Sequence, residues 1–145
     1  MPLEYFNKSE HAVYSLKYHI VWITKYRYKK FYLTHKLRCK EILTQIATDY
    51  EWQIEALTVE SDHVHLYLST DPTDKPCDVV KILKCKSAST LKKEFPELQT
   101  GKGNVWGRGY FITSVNDKTT SITIRKYIQN QIHAEKLRSQ QLKLF

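Results

Sequence analysis

The sharpest chemical feature of the sequence is His63-Val64-His65. On an extended segment alternate side chains share a face, so both imidazoles project together while Val64, Leu66 and Leu68 take the other face. Two neutral imidazoles spaced about 7 Å along a strand can tilt toward one divalent cation and leave positions for a third ligand and a substrate oxygen. With 6 histidines in 145 residues, a chance pair of surface histidines stands open beside the metal reading.

Tyr127 and Gln131 lie four residues apart near the C-terminus, hence one turn apart on a helical face. There a phenol could serve as a nucleophile and an amide oxygen as a metal ligand. With 10 tyrosines in the chain, a half-buried core aromatic beside Ile124 and Ile128 is the bland alternative. Cations and aromatics interleave in Lys25-Tyr26-Arg27-Tyr28-Lys29-Lys30-Phe31-Tyr32, and further lysines (81, 84, 86, 92, 93) crowd a later segment. Phosphates need cations and unpaired bases need flat aromatic faces, so this mixture suits single-stranded or hairpin nucleic acid. Arg108, between Gly107 and Gly109, is placed to clamp a phosphate, although a plain turn with a solvated arginine fits equally.

The elements that must position these groups are legible in outline. Alternating apolar and β-branched residues over 12–23 predict a long strand, and Thr34 caps an expected helix to about Tyr50 with Leu37, Ile42 and Ile46 facing the core. Segments 52–59 and 63–69 read as a hairpin turned by Glu60-Ser61-Asp62. Asp74 caps a second helix ending near Phe95-Pro96, and all 4 glycines fall within 101–109, a loop that feeds a strand over 110–115. A final helix is expected from Thr119 to about Gln141. The order predicts one α+β domain over 1–145: a ferredoxin-like, RRM-like βαββαβ sandwich with one antiparallel sheet, both helices on one face, and an extra C-terminal helix.

Composition narrows the class. Lys and Arg number 23 against 15 Asp and Glu, a net charge of +8, which leans toward a nucleic-acid partner. No apolar run is long enough to cross a bilayer, and 1–7 lacks the charged-then-apolar pattern of a secretory signal. Three cysteines (39, 77, 85) without CxxC spacing are expected to be reduced thiols, as in the cytoplasm. No GxxxxGK[ST] is present, so no nucleotide cofactor is expected.

Five ordered blocks together resemble the single-tyrosine (Y1) HUH transposases of the IS200/IS605 family. They are YHIVWITKYR (18–27), SDHVHL (61–66), KILK (81–84) with Phe95-Pro96, WGRGYF (106–111) and IRKYIQNQ (124–131). Cys85 departs from a common Gly and Tyr67 from an aliphatic residue. The resemblance implies that His63, His65 and Gln131 bind Mg²⁺ or Mn²⁺ and that Tyr127 is the nucleophile, forming a 5′-phosphotyrosine link. It also implies a homodimer acting on single-stranded DNA at insertion-sequence ends, with subterminal hairpins recognised by Lys25, Arg27, Lys29, Lys30, Lys84 and Arg108. The alternative is a domesticated relative, or a non-catalytic module that binds hairpin DNA without transposition.

Overall fold

A computed structural model describes residues 7–9 and 11–115 of the chain. Tyr127, Gln131 and the expected C-terminal helix lie outside the described residues. Two short strands, β1 (Asn7–Lys8) and β2 (Val13–Tyr14), pair with each other antiparallel. The main sheet holds β3 (Lys17–Ile23), β4 (Gln53–Val59), β5 (His63–Ser69) and β6 (Phe111–Val115) in the order β4-β5-β3-β6, every pair antiparallel. Helices α1 (Leu33–Asp49) and α2 (Pro76–Glu94) provide the two crossovers. This is the α+β, ferredoxin-like βαββαβ arrangement that the element order predicts.

Strand periodicity decides which face carries the core. Ile20 and Trp22 of β3 and Val64, Leu66 and Leu68 of β5 join Leu43 and Ile46 of α1 and Val80, Leu83 and Leu91 of α2 in one buried cluster. Each such side chain contributes about 1.5–3 kcal/mol on full burial. The intervening residues His19, Val21, His63 and His65 therefore take the opposite face of the two central strands. Strand β4 reaches the same core despite imperfect alternation. Its register passes from Ile54 opposite Leu68 to Ala56 opposite Tyr67, leaving Glu55 unmatched. That bulge lets Ile54 on one side and Leu57 and Val59 on the other all point inward.

Several local expectations are corrected. The segment 12–23 is two strands, because β2 turns aside to pair with β1 before β3 begins. Helix α1 starts at Leu33, so Thr34 lies inside its first turn; the ring Nδ1 of His35 accepts the Tyr32 backbone N–H at 3.0 Å. Leu37 is exposed, off the stripe formed by Cys39, Ile42, Leu43 and Ile46. Asp74 does not cap α2, whose N-cap is Lys75; its carboxylate instead accepts the Trp52 indole N–H at 2.9 Å and the Asp71 backbone N–H at 3.1 Å. Helix α2 runs unbroken through Cys85. All three cysteines are free, and burial pushes the Cys39 thiol up to about 12. Among the described residues no helix is long and apolar enough to cross a membrane.

Candidate active site

His63 opens β5 at the end of the sheet where Ile23 is its partner on β3, and the turn before it is fastened to the basic connector. Thr24 donates its backbone N–H to the Asp62 carbonyl at 3.0 Å and its hydroxyl to the Tyr28 carbonyl at 2.6 Å. Phe31 donates its backbone N–H to the Ser61 carbonyl at 3.1 Å. Between these anchors the chain makes a tight turn over Lys25–Arg27 in which both Tyr26 (φ 56°) and Arg27 (φ 57°) are left-handed. For residues with a Cβ this costs about 1–2 kcal/mol each. The turn directs the Arg27 guanidinium inward, where its Nε donates to the Asp62 carboxylate at 3.3 Å with both side chains 7% exposed.

The other oxygen of Asp62 accepts from His63 Nδ1 at 2.5 Å. A carboxylate can only accept, so the shared proton belongs to Nδ1 and the Nε2 lone pair of His63 is left to coordinate. Burial alone would raise the Asp62 carboxyl, but the hydrogen bond from His63 and the electrostatic pull of His63 and Arg27 outweigh it and hold the group at about 2. The arrangement is a relay: Arg27 fixes Asp62, and Asp62 fixes the ring of His63.

His65 stands beside His63 with ring centroids 4.8 Å apart at 76°. It is 4% exposed, and among the described residues neither ring nitrogen has a hydrogen-bond partner. Desolvation, with the neighbouring His63 and His19, pulls its pKa down to about 3, so at neutral pH it is an uncharged imidazole, the form that binds metals. Buried polar nitrogens without partners are costly. A ring oriented by a carboxylate beside a neutral ring with unsatisfied nitrogens fits a divalent cation between them. Among the described residues no third His, Cys, Asp or Glu joins this pair to make a larger cluster. The expected third ligand, Gln131, and the expected nucleophile, Tyr127, lie outside the described residues.

The six expected DNA-contacting cations divide into two sets. Lys29 and Arg108 are exposed, and the Lys25 ammonium sits 5.0 Å from the centroid of the Tyr26 ring. The other three are engaged within the chain. Arg27 is bound to Asp62, Lys30 donates to Thr100 Oγ1 at 2.9 Å, and Lys84 donates to the Gly107 and Gly109 carbonyls at 2.8 and 2.7 Å. Sequence reasoning missed the part played by Asp62. Its signal was present: a carboxylate immediately before the first histidine, in the turn of the hairpin.

The chain is similar to known proteins along most of its length. Residues 12–131 match the family model described as transposase, IS200 like. The ISDra2 transposase TnpA of Deinococcus radiodurans is 36% identical over 133 residues, covering 90% of this chain and 94% of that protein. The transposase for insertion sequence element IS200 of Salmonella typhimurium is 31% identical over 135 residues, covering 90% and 86%. The crystal structure of a candidate transposase from Deinococcus radiodurans superposes with a TM-score of 0.72 at 37% identity, covering 86% of this chain and 97% of that one. A REP-associated tyrosine transposase bound to a REP hairpin shares the fold, with a TM-score of 0.54 at 13% identity over 76% of this chain and 64% of that one. With its oriented histidine pair on a ferredoxin-like sheet, this chain belongs to the IS200-like transposase family and is a DNA endonuclease and strand transferase.

Proposed function

We propose that the chain cleaves and rejoins single-stranded DNA at the ends of an insertion sequence, through a covalent link to Tyr127 and with recognition of subterminal DNA hairpins. The observation that carries this reading is the buried pair His63–His65, one ring oriented by Asp62 and the other neutral and, among the described residues, without a hydrogen-bond partner. His63 and His65, with Gln131 as the third ligand, would hold Mg²⁺ or Mn²⁺, which supplies polarisation and orientation of a non-bridging phosphate oxygen. The Tyr127 oxygen attacks phosphorus in line, the phosphorus–O3′ bond breaks, and the departing 3′ oxygen takes a proton. Phenols ionise near pH 10, so the tyrosine proton must leave as the new bond forms. The 5′-phosphotyrosine retains the phosphodiester energy, and a 3′-hydroxyl from another strand reverses the step without a nucleotide cofactor.

One nucleophilic tyrosine per chain cannot supply two sequential nucleophiles, so paired cleavages call for a homodimer. The whole chain, 1–145, acts as one domain, working in the cytoplasm where the DNA is.

The test is covalent trapping. The full chain is incubated with labelled single-stranded end DNA and Mn²⁺, and adducts are separated under denaturing conditions. Tyr127→Phe is expected to abolish the adduct. His63→Ala is expected to abolish metal-dependent cleavage while hairpin binding survives. Undiminished adduct with Tyr127→Phe removes the nucleophile from this reading; hairpin binding by the parent chain with no adduct at all leaves a non-catalytic binding module.

A further inference from the structure

The connector 24–31 carries Arg27, and the bonds of Arg27 itself do not account for its place. Its Nε reaches Asp62 at 3.3 Å, long for a charge-assisted hydrogen bond, and its buried Nη2 has no hydrogen-bond partner among the described residues. A guanidinium so poorly satisfied does not turn inward unaided. The backbone must carry it there, through the left-handed Tyr26 and Arg27. Two such residues in succession persist only where their surroundings leave the chain no easier path.

The 61–62 turn supplies part of that constraint. Its main-chain bonds pin residues 24 and 31, the two ends of the connector. Between those ends the connector is held by the segment 100–106. Lys25 donates its N–H to the Val105 carbonyl at 3.1 Å. The Tyr26 ring lies over Gly101, where an added Cβ would be 3.7 Å from its Cε2 and from its hydroxyl oxygen. The Lys25 ammonium and the Tyr28 ring stand 5.0 and 5.7 Å from the centroid of the same ring. Half-buried Lys30 then reaches across, its Nζ donating to Thr100 Oγ1 at 2.9 Å and to the Asn104 carbonyl at 3.3 Å.

The holding segment is itself anchored. Thr100 and Asn104 exchange backbone hydrogen bonds at 2.9 and 3.0 Å, closing a loop in which Gly101 and Gly103 take positive φ. Beyond it Val105 and Trp106 join the core, with the Trp106 ring stacked on Phe31 at 5.2 Å and its indole N–H on Ser87 Oγ at 2.9 Å. Lys30 therefore ties the connector to a fixed frame.

We propose that Lys30 is a positioning residue for the metal pair: its latch to Thr100 and Asn104 locks the Tyr26–Arg27 turn, which keeps Arg27 on Asp62 and the His63 ring in its coordinating orientation. This role rests on His63 and His65 being metal ligands, and neither on Tyr127 nor on any DNA contact.

Charge and position predict opposite signs. Removing a positive charge near a cation site should, by Coulomb's law alone, leave Mn²⁺ binding unchanged or tighten it. Freeing the His63 ring should weaken it. Mn²⁺ is titrated into the full chain at neutral pH and followed by electron paramagnetic resonance, with urea unfolding to confirm that each variant is folded. Lys30→Met is expected to lower Mn²⁺ affinity at least about threefold, a part of the ~10- to 100-fold that loss of an outer carboxylate costs. Thr100→Val keeps the shape, removes the nearer acceptor and is expected to lose affinity in the same direction. Lys102→Met removes an equal charge from an exposed position in the same loop and is expected to bind as the parent does. In an Asp62→Asn background Lys30→Met should cause no further loss, since residues acting through one another are not additive.

Lys30→Met binding Mn²⁺ as tightly as the parent overturns the inference, and so does a loss that adds in full to that of Asp62→Asn. An equal loss in Lys102→Met assigns the effect to charge and overturns it too. Should Lys30→Met not fold, unchanged affinity in Thr100→Val overturns it alone. If the parent binds Mn²⁺ no better than His63→Ala, the metal assignment itself falls, and the positioning role with it.

Discussion

Asp62 and His63 are neighbours in sequence, yet they face each other as a hydrogen-bonded pair, Nδ1 donating to the carboxylate at 2.5 Å. The second carboxylate oxygen is held by Arg27, so the orientation of one imidazole is set by a residue 36 positions earlier in the chain. The pair tells which nitrogen of His63 is free to act, and that fact is invisible in the histidine motif alone.

Replacing Asp62 by Asn keeps the shape and removes the charge. An amide can still accept from Nδ1, but it places no negative charge behind the ring, and it can flip to present its NH₂. The expected result for Asp62→Asn is a 10- to 100-fold loss of Mn²⁺ affinity, the usual size of effect for an outer carboxylate behind a liganding histidine. Titration of Mn²⁺ followed by electron paramagnetic resonance measures it; affinity equal to the parent chain would show that Asp62 does not support the site.

Arg27 carries two separable effects. Its guanidinium is buried with Asp62, and its backbone is left-handed at φ 57°. Arg27→Ala is expected to cost about 3–5 kcal/mol, as when one partner of a buried ion pair is removed. Arg27→Gly should cost about 1–2 kcal/mol less than Arg27→Ala, because glycine accepts the left-handed backbone without the Cβ penalty. Urea unfolding of the two variants checks the ordering. Since the guanidinium is turned inward, the salt slope of DNA binding should also match that of the parent chain.

How far the sequence spoke can be judged from these same residues. Alternate apolar positions Tyr18, Ile20 and Trp22, and the alternation over 63–69, marked the central strands, and with them the shared face of His63 and His65, because a strand has a period of two. Alternation failed in β4, where the apolar positions 54, 57 and 59 fit one face only through the bulge at Glu55. Charge was read without geometry. Arg27, Lys30 and Lys84 looked like the exposed cations around them, and only the fold shows them spent on Asp62, Thr100 and the glycine carbonyls. A left-handed Tyr-Arg pair has no propensity signal at all, since it is imposed by the anchors on either side, Thr24 to Asp62 and Phe31 to Ser61.

Lys30 makes stability depend on pH. Burial pulls its ammonium from 10.5 down to about 8. Between those two values the unfolded chain binds a proton that the folded chain has released, so this residue contributes a rise in stability as pH increases. Below about 8 both states are protonated and the contribution is constant. Lys30→Met should abolish that rise. Urea midpoints of parent and variant, compared at several pH values across the window, are expected to diverge in favour of the parent; parallel curves would refute the assignment.

Gly107 and Gly109 should fail on substitution for opposite reasons. A Cβ at Gly107 would sit 3.2 Å from the Thr24 carbonyl oxygen and from Ile23 Cγ1, and the backbone oxygen cannot swing aside while Gly107 is bonded to the adjacent Ile23 carbonyl. At Gly109 nothing lies within 4 Å of an added Cβ, but φ is +86°. Gly107→Ala is therefore a packing fault, expected to cost about 1–3 kcal/mol, while Gly109→Ala is a conformational one of about 1–2 kcal/mol. Asparagine separates them, because it tolerates a left-handed backbone yet is bulkier than alanine. Gly109→Asn should recover part of the stability lost in Gly109→Ala, whereas Gly107→Asn should be worse than Gly107→Ala. Both Gly107 variants should also loosen the loop that Lys84 holds, which thermal melts of each variant, with and without Lys84→Met, would register as a smaller second loss than in the parent chain.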